Sequence, residues 1–135
     1  MAFLEPDDML VLEKDTGIVH RILDGKILPE PVLDVNVANE AERGLLGIAI
    51  AKPNSAAENG DDDNKDARHV FLYYTESGGG RDGDDASSGV EPAGNRLYRY
   101  DLEGGGNDNN IRLTNPLLLL DLTASPPPGR ENIER

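Results

Sequence analysis

An all-β fold is predicted by three features of this 135-residue sequence. Its apolar residues fall into short runs rich in β-branched and aromatic side chains, and turn residues separate these runs. Glycine (15 residues) and proline (9 residues) are together more abundant than the usual ~12%. Few stretches have the apolar period of a helix, of about 3.6 residues. We expect about six or seven short strands, as in a sandwich, a barrel or a propeller.

The first strands form a predicted up-and-down meander with short connections. Residues 9–14 (MLVLEK) and 18–23 (IVHRIL) read as two strands, joined by a turn in which Gly17 adopts a positive φ. Asp24 and Gly25 follow as a two-residue hairpin signal. A third strand is then expected at residues 26–28, before Pro29, with a further extended piece at residues 31–35.

The second group of strands is more apolar and is interrupted by long acidic loops. The apolar run at 42–50 predicts a strand buried on both faces, with Gly44 and Gly47 allowing close backbone approach. Loops are expected near residues 52–68 and 76–94, the second mobile or disordered. The remaining predicted features are strands at 69–75, 95–102 and 111–121, and a Pro-rich end at 125–135.

The charge and the residue types exclude several classes of function. The chain has 13 Lys and Arg against 26 Asp and Glu, a net charge of −13. Binding to nucleic acid or through a polybasic membrane anchor needs clustered cations, so neither is predicted. Cysteine is absent, which excludes disulfides, Cys-ligated metals and a Cys nucleophile. The longest apolar run, residues 117–120, is too short for a membrane span.

Three stretches in order resemble the glucose/sorbosone dehydrogenase family, the soluble quinoprotein sugar dehydrogenases. Residues 41–49 (AERGLLGIA) resemble the family's E-R-G-L-L-G segment, and residues 10–22 (LVLEKDTGIVHRI) resemble its blade-opening hairpin. Residues 70–75 (VFLYYT) and 95–100 (NRLYRY) are similar to its paired Y-L-Y-Y-T and N-R-V-x-R-Y strands. The resemblance covers residues 1 to about 122, which is nearly the whole chain.

The resemblance implies a partial six-bladed β-propeller, with antiparallel strands and long acidic loops. A propeller blade of four strands takes roughly 40–45 residues, so residues 1–135 would supply about the first two to three blades. Family members run to a few hundred residues. We therefore expect residues 1–135 to be one incomplete propeller domain, an N-terminal fragment whose first blade is also truncated.

The family's activity gives an expectation for cofactors and partners. Its members bind pyrroloquinoline quinone (PQQ), with calcium nearby, at the top of the propeller. They oxidise the C1 hydroxyl of an aldose sugar and pass electrons to an external acceptor, in the extracellular space or the periplasm. Their general base is a His in a His-x-x-Gly segment that this sequence does not contain, so we predict no catalytic residue and an inactive isolated chain. A second departure is AKPN at residues 51–54, where the family has a His-Pro-Asp-type turn.

Glu42 is the one site residue that the resemblance carries over. It lies two positions before Gly44, where the family places a polar cofactor contact; the alternative is a solvated loop carboxylate. Arg43 is predicted to be a structural ion-pair partner. His20 and His69 are interpreted as strand histidines, since no nucleophile motif or ligand pattern accompanies either of them.

No metal ligands are predicted in this chain. The acidic run at residues 61–66 departs from the calcium-loop pattern, because Ala67 and Tyr73 stand where Gly and Glu are required. Asp82, Asp84 and Asp85 are likewise expected in a solvated loop. Two other functions remain open: a non-catalytic propeller that serves as a binding or interaction module, and a small all-β domain that binds calcium through its Asp loops.

Overall fold

The computed structural model describes residues 1–51, 68–104 and 110–123. These residues form nine strands and a three-residue 3-10 helix, Ala86–Ser88, and no α-helix occurs among them. The predicted all-β class is confirmed. The strands are β1 (Ala2–Glu5), β2 (Asp8–Leu12), β3 (Ile18–Leu23), β4 (Lys26–Ile27), β5 (Leu33–Asp34), β6 (Leu45–Ala51), β7 (His69–Glu76), β8 (Gly94–Glu103) and β9 (Arg112–Thr123).

The first sheet is an antiparallel meander in the order β1-β2-β3-β4, with β5 also pairing with β3. Its turns follow the sequence signals. Asp24 and Gly25 have φ values of 53° and 80°, which suit the two-residue hairpin turn that joins β3 to β4. Gly17 has φ 72°, so a residue without a side chain is favoured there. Strand β1 was not predicted from the sequence.

The second sheet has the order β6-β7-β8-β9, and all of its neighbours are antiparallel. Each sheet is thus built from strands that follow one another along the chain, and both sheets remain open at their edges. The register of β8 on β9 shifts twice. Asn115, with φ 54°, lies within one of these irregularities, as is common for β-bulges.

A single hydrophobic core lies between the two sheets. Strand β6 packs against β1 and β2, so the two sheets face one another. Burying these apolar side chains away from water is the main force that holds the sheets together. The buried members of this core are Leu4, Leu10, Val19, Val32, Val37, Leu45, Val70, Leu72, Tyr74, Tyr100, Ile111 and Leu113.

The outer faces of both sheets also carry apolar side chains. In the first sheet the directly paired residues Phe3, Met9, Ile22 and Ile27 form one cross-strand row. Phe3 is 49% exposed and Ile27 64% exposed. We name these four residues the first outer row. The second outer row is formed in the second sheet by the paired residues Gly47, Tyr73, Leu97 and Leu120.

The prediction that β6 is buried on both faces is wrong. Leu45 points into the core and is 2% exposed, whereas Leu46 is 44% exposed. Strand β6 has apolar side chains on both of its faces, which explains the apolar run. The described residues cover only one of these two faces. The close approach expected at Gly44 is confirmed, because a Cβ there would lie 2.3 Å from the carbonyl oxygen of Lys14. Gly47 has only an ordinary contact with Tyr73.

The loop between β7 and β8 is folded rather than disordered, which corrects the prediction for residues 76–94. Asp84 and Asp85 are buried within it, so they are not the solvated carboxylates expected from the sequence. The Ser77 N–H also bonds to the Asn36 carbonyl at 3.1 Å. The acidic run at residues 61–66 and the Pro-rich end at 125–135 lie outside the described residues.

Candidate functional site

Glu42 lines an open pocket of about 400 Å³ beside the second sheet. The pocket lies where β7 ends and β8 begins, between these strands and the loop of residues 40–43. Glu42 itself is exposed at its rim. The lining residues are Glu40, Ala41, Glu42, Arg43, Leu46, Tyr73, Thr75 and Asn95.

The loop of residues 40–43 is fixed to the first sheet through Lys14. The Lys14 Nζ donates a hydrogen bond to the carbonyl oxygen of Ala41 at 2.9 Å. The Lys14 carbonyl in turn accepts the backbone N–H of Leu45 at 2.9 Å. Ala41 has φ 56°, a left-handed conformation that costs energy for a residue with a side chain. The chain holds this conformation with bonds on either side of it.

The same loop is fixed from the other side by the Asp85 carboxylate, which is 1% exposed. Asp85 Oδ2 accepts the backbone N–H of Asn39 at 2.7 Å and that of Glu40 at 3.1 Å. Its Oδ1 pairs with Arg43 Nη1 at 3.2 Å. Asp85, which lies in the loop of residues 77–93, therefore holds in place the backbone segment that carries Glu42. The prediction that Arg43 is an ion-pair partner is confirmed.

The floor of the pocket is a polar pair on the second sheet. The buried Thr75 donates its hydroxyl hydrogen to Asn95 Oδ1 at 2.7 Å. This bond fixes the orientation of the Asn95 side-chain amide. Its oxygen accepts from Thr75, which leaves the amide nitrogen to donate to a ligand. Tyr73 and Leu46 add apolar surface next to these polar groups. A few directed polar groups on an apolar wall are typical of small-molecule sites.

The charge of this pocket does not fit PQQ. Two carboxylates, Glu40 and Glu42, line it with a single guanidinium, and Arg43 is already paired with Asp85 and lies 3.6 Å from Glu40. A quinone that carries carboxylates would meet like charges here, and no unpaired cation is among the described residues that line the pocket. For calcium, the described part of the chain holds no group of three His, Asp or Glu residues that could bind a metal ion.

Neither histidine approaches the pocket. His20 lies on β3 and pairs its Nε2 with Glu13. His69 lies at the start of β7, with Nδ1 3.1 Å from Asp101 Oδ1. It is six residues from Thr75, which is about 20 Å along an extended strand. Both remain strand histidines, in keeping with the prediction.

Sequence reasoning singled out Glu42 as a site candidate and Arg43 as an ion-pair partner, and it missed Tyr73, Asn95 and Asp85. Tyr73 and Asn95 belong to the two strands quoted for the family resemblance, which is the signal that could have joined them to Glu42. Asp85 had no such signal, because its contacts span more than 40 positions of chain.

Comparison with protein-family models, curated proteins and solved structures finds no match to this chain. Within residues 1–51, 68–104 and 110–123 no helix is long and apolar enough to cross a membrane.

Proposed function

We propose that this chain forms two blades of a sugar-binding β-propeller of the glucose/sorbosone dehydrogenase type. Support comes from two meander sheets that follow one another in sequence and pack face to face. The two outer rows also support the propeller proposal. A propeller blade is covered by a neighbouring blade on each face and therefore needs apolar residues on both faces. An isolated two-sheet sandwich needs polar residues on its outer faces.

The ligand proposed for the pocket at residues 40–43 is a neutral sugar, and the observation that carries this proposal is the carboxylate-rich lining. Glu40 and Glu42 are acceptors for sugar hydroxyls, and Asn95 offers an amide donor. Tyr73 supplies a flat apolar face for the carbon side of a pyranose ring. A neutral polyol carries no charge that these carboxylates would repel, whereas the carboxylates of PQQ would be repelled.

In the dehydrogenase reaction this pocket would hold the sugar, while oxidation would depend on groups outside the described residues. Abstraction of the C1 hydroxyl proton needs a base within hydrogen-bond reach of that oxygen. The carboxylates that line the pocket are acceptors that orient the sugar, and neither His20 nor His69 lies near it. We therefore expect no sugar-dependent dye reduction by the purified chain, even with PQQ and calcium supplied.

A direct binding experiment tests this proposal. The purified chain is titrated with D-glucose and followed by amide NMR shifts. Saturable shifts at Tyr73, Thr75 and Asn95 are expected. Glu42→Ala should weaken the binding several-fold, whereas Glu103→Ala, an exposed glutamate at the opposite end of β8, should leave it unchanged. Shifts that do not saturate, or that are the same in both variants, would rule out the sugar site.

One alternative that the sequence leaves open is kept as a second candidate: a non-catalytic propeller that binds ligands or partners. The folded loop of residues 77–93 favours it over calcium binding, since Asp82 and Asp85 are occupied by backbone N–H groups. Glucose binding without any dye reduction in the full-length protein would identify a binding module. Reduction that requires PQQ would identify the dehydrogenase.

A further inference from the structure

We propose that the pocket at residues 40–43 selects among sugars by charge and that the Glu42 carboxylate determines this selection. A sugar that carries a protonated amino group binds more tightly than glucose, and a sugar that carries a carboxylate is excluded. The inference rests on the sugar site proposed above. It adds the class of sugar that the site prefers and the residue responsible for the preference.

The charges around the pocket leave one carboxylate without a cation. Arg43 is the one cationic residue among the described residues that line the pocket. Its Nη1 lies 3.2 Å from the buried carboxylate of Asp85 and 3.6 Å from that of Glu40, so two carboxylates already share its charge. Within the described part of the chain, the exposed Glu42 takes part in no ion pair.

Lys14 also contacts this loop, but its charge is directed elsewhere. Its Nζ donates hydrogen bonds to the Ala41 carbonyl oxygen at 2.9 Å and to Asp15 Oδ1 at 3.0 Å. The excess negative charge at the pocket has the same sign as the net charge of the whole chain, which is −13. A field of this sign attracts cationic ligands and repels anionic ones.

An amino sugar fits this pocket better than glucose does. Glucosamine has an ammonium group in place of one hydroxyl of glucose, so it adds a positive charge at almost the same size. The ammonium group can form a charge-assisted hydrogen bond to the Glu42 carboxylate, and the other hydroxyls keep the acceptors and donors proposed for glucose. Because solvent screens an ion pair at an exposed carboxylate, the gain over glucose is about two- to five-fold in Kd.

Titrations with three sugars test the selection. The purified chain is titrated at about pH 6, where an aliphatic amine is protonated. Amide NMR shifts of Tyr73, Thr75 and Asn95 give the Kd of glucosamine, glucose and glucuronate. Glucosamine should bind about two- to five-fold more tightly than glucose, and glucuronate should give no saturable shift. Added NaCl should reduce the advantage of glucosamine and leave the Kd of glucose unchanged.

Variants that change only the charge assign the selection to Glu42, whose exposure lets folding survive. Glu42→Gln keeps an acceptor oxygen but removes the charge, so glucosamine and glucose should bind equally. Glu42→Lys reverses the charge and should make glucuronate the tightest ligand of the three. Glu40→Gln should reduce the preference less, because Arg43 already offsets part of the Glu40 charge. Glu103→Gln, at the opposite end of β8, removes the same charge and should leave the preference intact.

The possible outcomes separate this inference from the proposed function. Saturable glucose binding with an equal Kd for glucosamine would overturn the charge selection and keep the sugar site. A preference for glucosamine that persists in Glu42→Gln, with folding confirmed by circular dichroism, would overturn the role of Glu42. If none of the three sugars gives saturable shifts, the sugar site is overturned and this inference with it.

Discussion

The Asp85 carboxylate accepts the backbone N–H of Asn39 at 2.7 Å, across 46 positions of sequence. A buried carboxylate that receives N–H groups from a distant loop acts like a helix N-cap on an irregular segment. It replaces the water that would otherwise solvate those N–H groups. The loop that carries Glu42 therefore takes its shape from a residue in a different loop.

Replacing Asp85 by Asn should destabilise the protein and loosen the pocket. The amide keeps one acceptor oxygen but loses the charge that faces Arg43 and two backbone N–H groups, so a loss of about 1–3 kcal/mol is expected. Urea denaturation measures it. Asp82→Asn is the matched control, since the exposed Asp82 carboxylate accepts one backbone N–H among the described residues, that of Val37 at 3.0 Å. An equal loss in both variants would show that burial of Asp85 is unimportant.

Breaking the buried ion pair between Arg21 and Asp8 in the first sheet should lower the free energy of unfolding by more than Asp85→Asn does. Arg21 donates Nε to Asp8 Oδ1 at 2.9 Å and Nη2 to Asp8 Oδ2 at 2.8 Å, and both side chains are buried. Asp8→Asn removes the carboxylate charge that faces the buried Arg21 guanidinium, which costs about 3–5 kcal/mol. The double change Asp8→Leu with Arg21→Met should cost less than Asp8→Asn alone. A double-mutant denaturation series that is simply additive would contradict this coupling.

Gly44→Ala should be among the most destabilising single changes in the chain. Gly44 has φ 139°, and an added Cβ would lie 2.3 Å from the Lys14 carbonyl oxygen. We expect a loss above ~3 kcal/mol in the free energy of unfolding. Gly25→Ala is the control: its φ is 80°, but nothing lies within 4 Å of an added Cβ. It should cost about 1–2 kcal/mol, the penalty of a left-handed backbone for a residue with a Cβ, and a similar loss for both would show that steric clash is not the cause.

Stability should fall steeply in alkaline solution. Burial raises the pKa of Tyr74, Tyr98 and Tyr100 above the ordinary value of 10.0, and the charge of Glu76 adds to the effect. A phenol with a raised pKa in the folded state stabilises the fold below pH 10 and loses that contribution as the pH rises further.

Absorbance of tyrosinate and near-ultraviolet circular dichroism should therefore change together above pH 10. Tyr98 also donates its hydroxyl hydrogen to Glu76 Oε1 at 2.7 Å, and its ring stacks on Tyr74 at 5.6 Å. Tyr74→Phe removes one buried phenol and should move the unfolding transition to higher pH. If the tyrosines ionise before the near-ultraviolet signal is lost, this linkage is wrong.

The strands and turns were largely readable from the sequence because they depend on local chemistry. The runs at 18–23 and 69–75 have β-branched and aromatic residues, and Asp24 with Gly25 supplies the backbone that a tight hairpin needs. Strand β1 escaped prediction because Ala2–Glu5 is short and carries Phe3 and Glu5 on the exposed face.

The contacts that shape the pocket could not be predicted from the sequence, because they join residues that are far apart in the chain. Asp85 sits among glycines and other acidic residues, a composition typical of solvated loops. Its burial depends on where the Asn39 and Glu40 N–H groups lie after the two sheets pack. The ion pair of Arg21 with Asp8 could not be predicted for the same reason, because it forms only when β3 pairs with β2. Glu42 and Arg43 were singled out because a sequence motif marks them, one as a site candidate and the other as an ion-pair partner.

The meander order of both sheets has a consequence for synthesis in the cell. Every strand pairs with one close to it in sequence, so each sheet can form as soon as its own residues have left the ribosome. The first sheet is then already folded when β6 emerges and offers it a template. Among the described strands β9 emerges last, with Leu117 to Leu120 exposed on both of its faces. Until β9 pairs with β8, the open edge of the second sheet and these leucines can contact other chains, so this is the stage at which the nascent chain is most prone to misassembly.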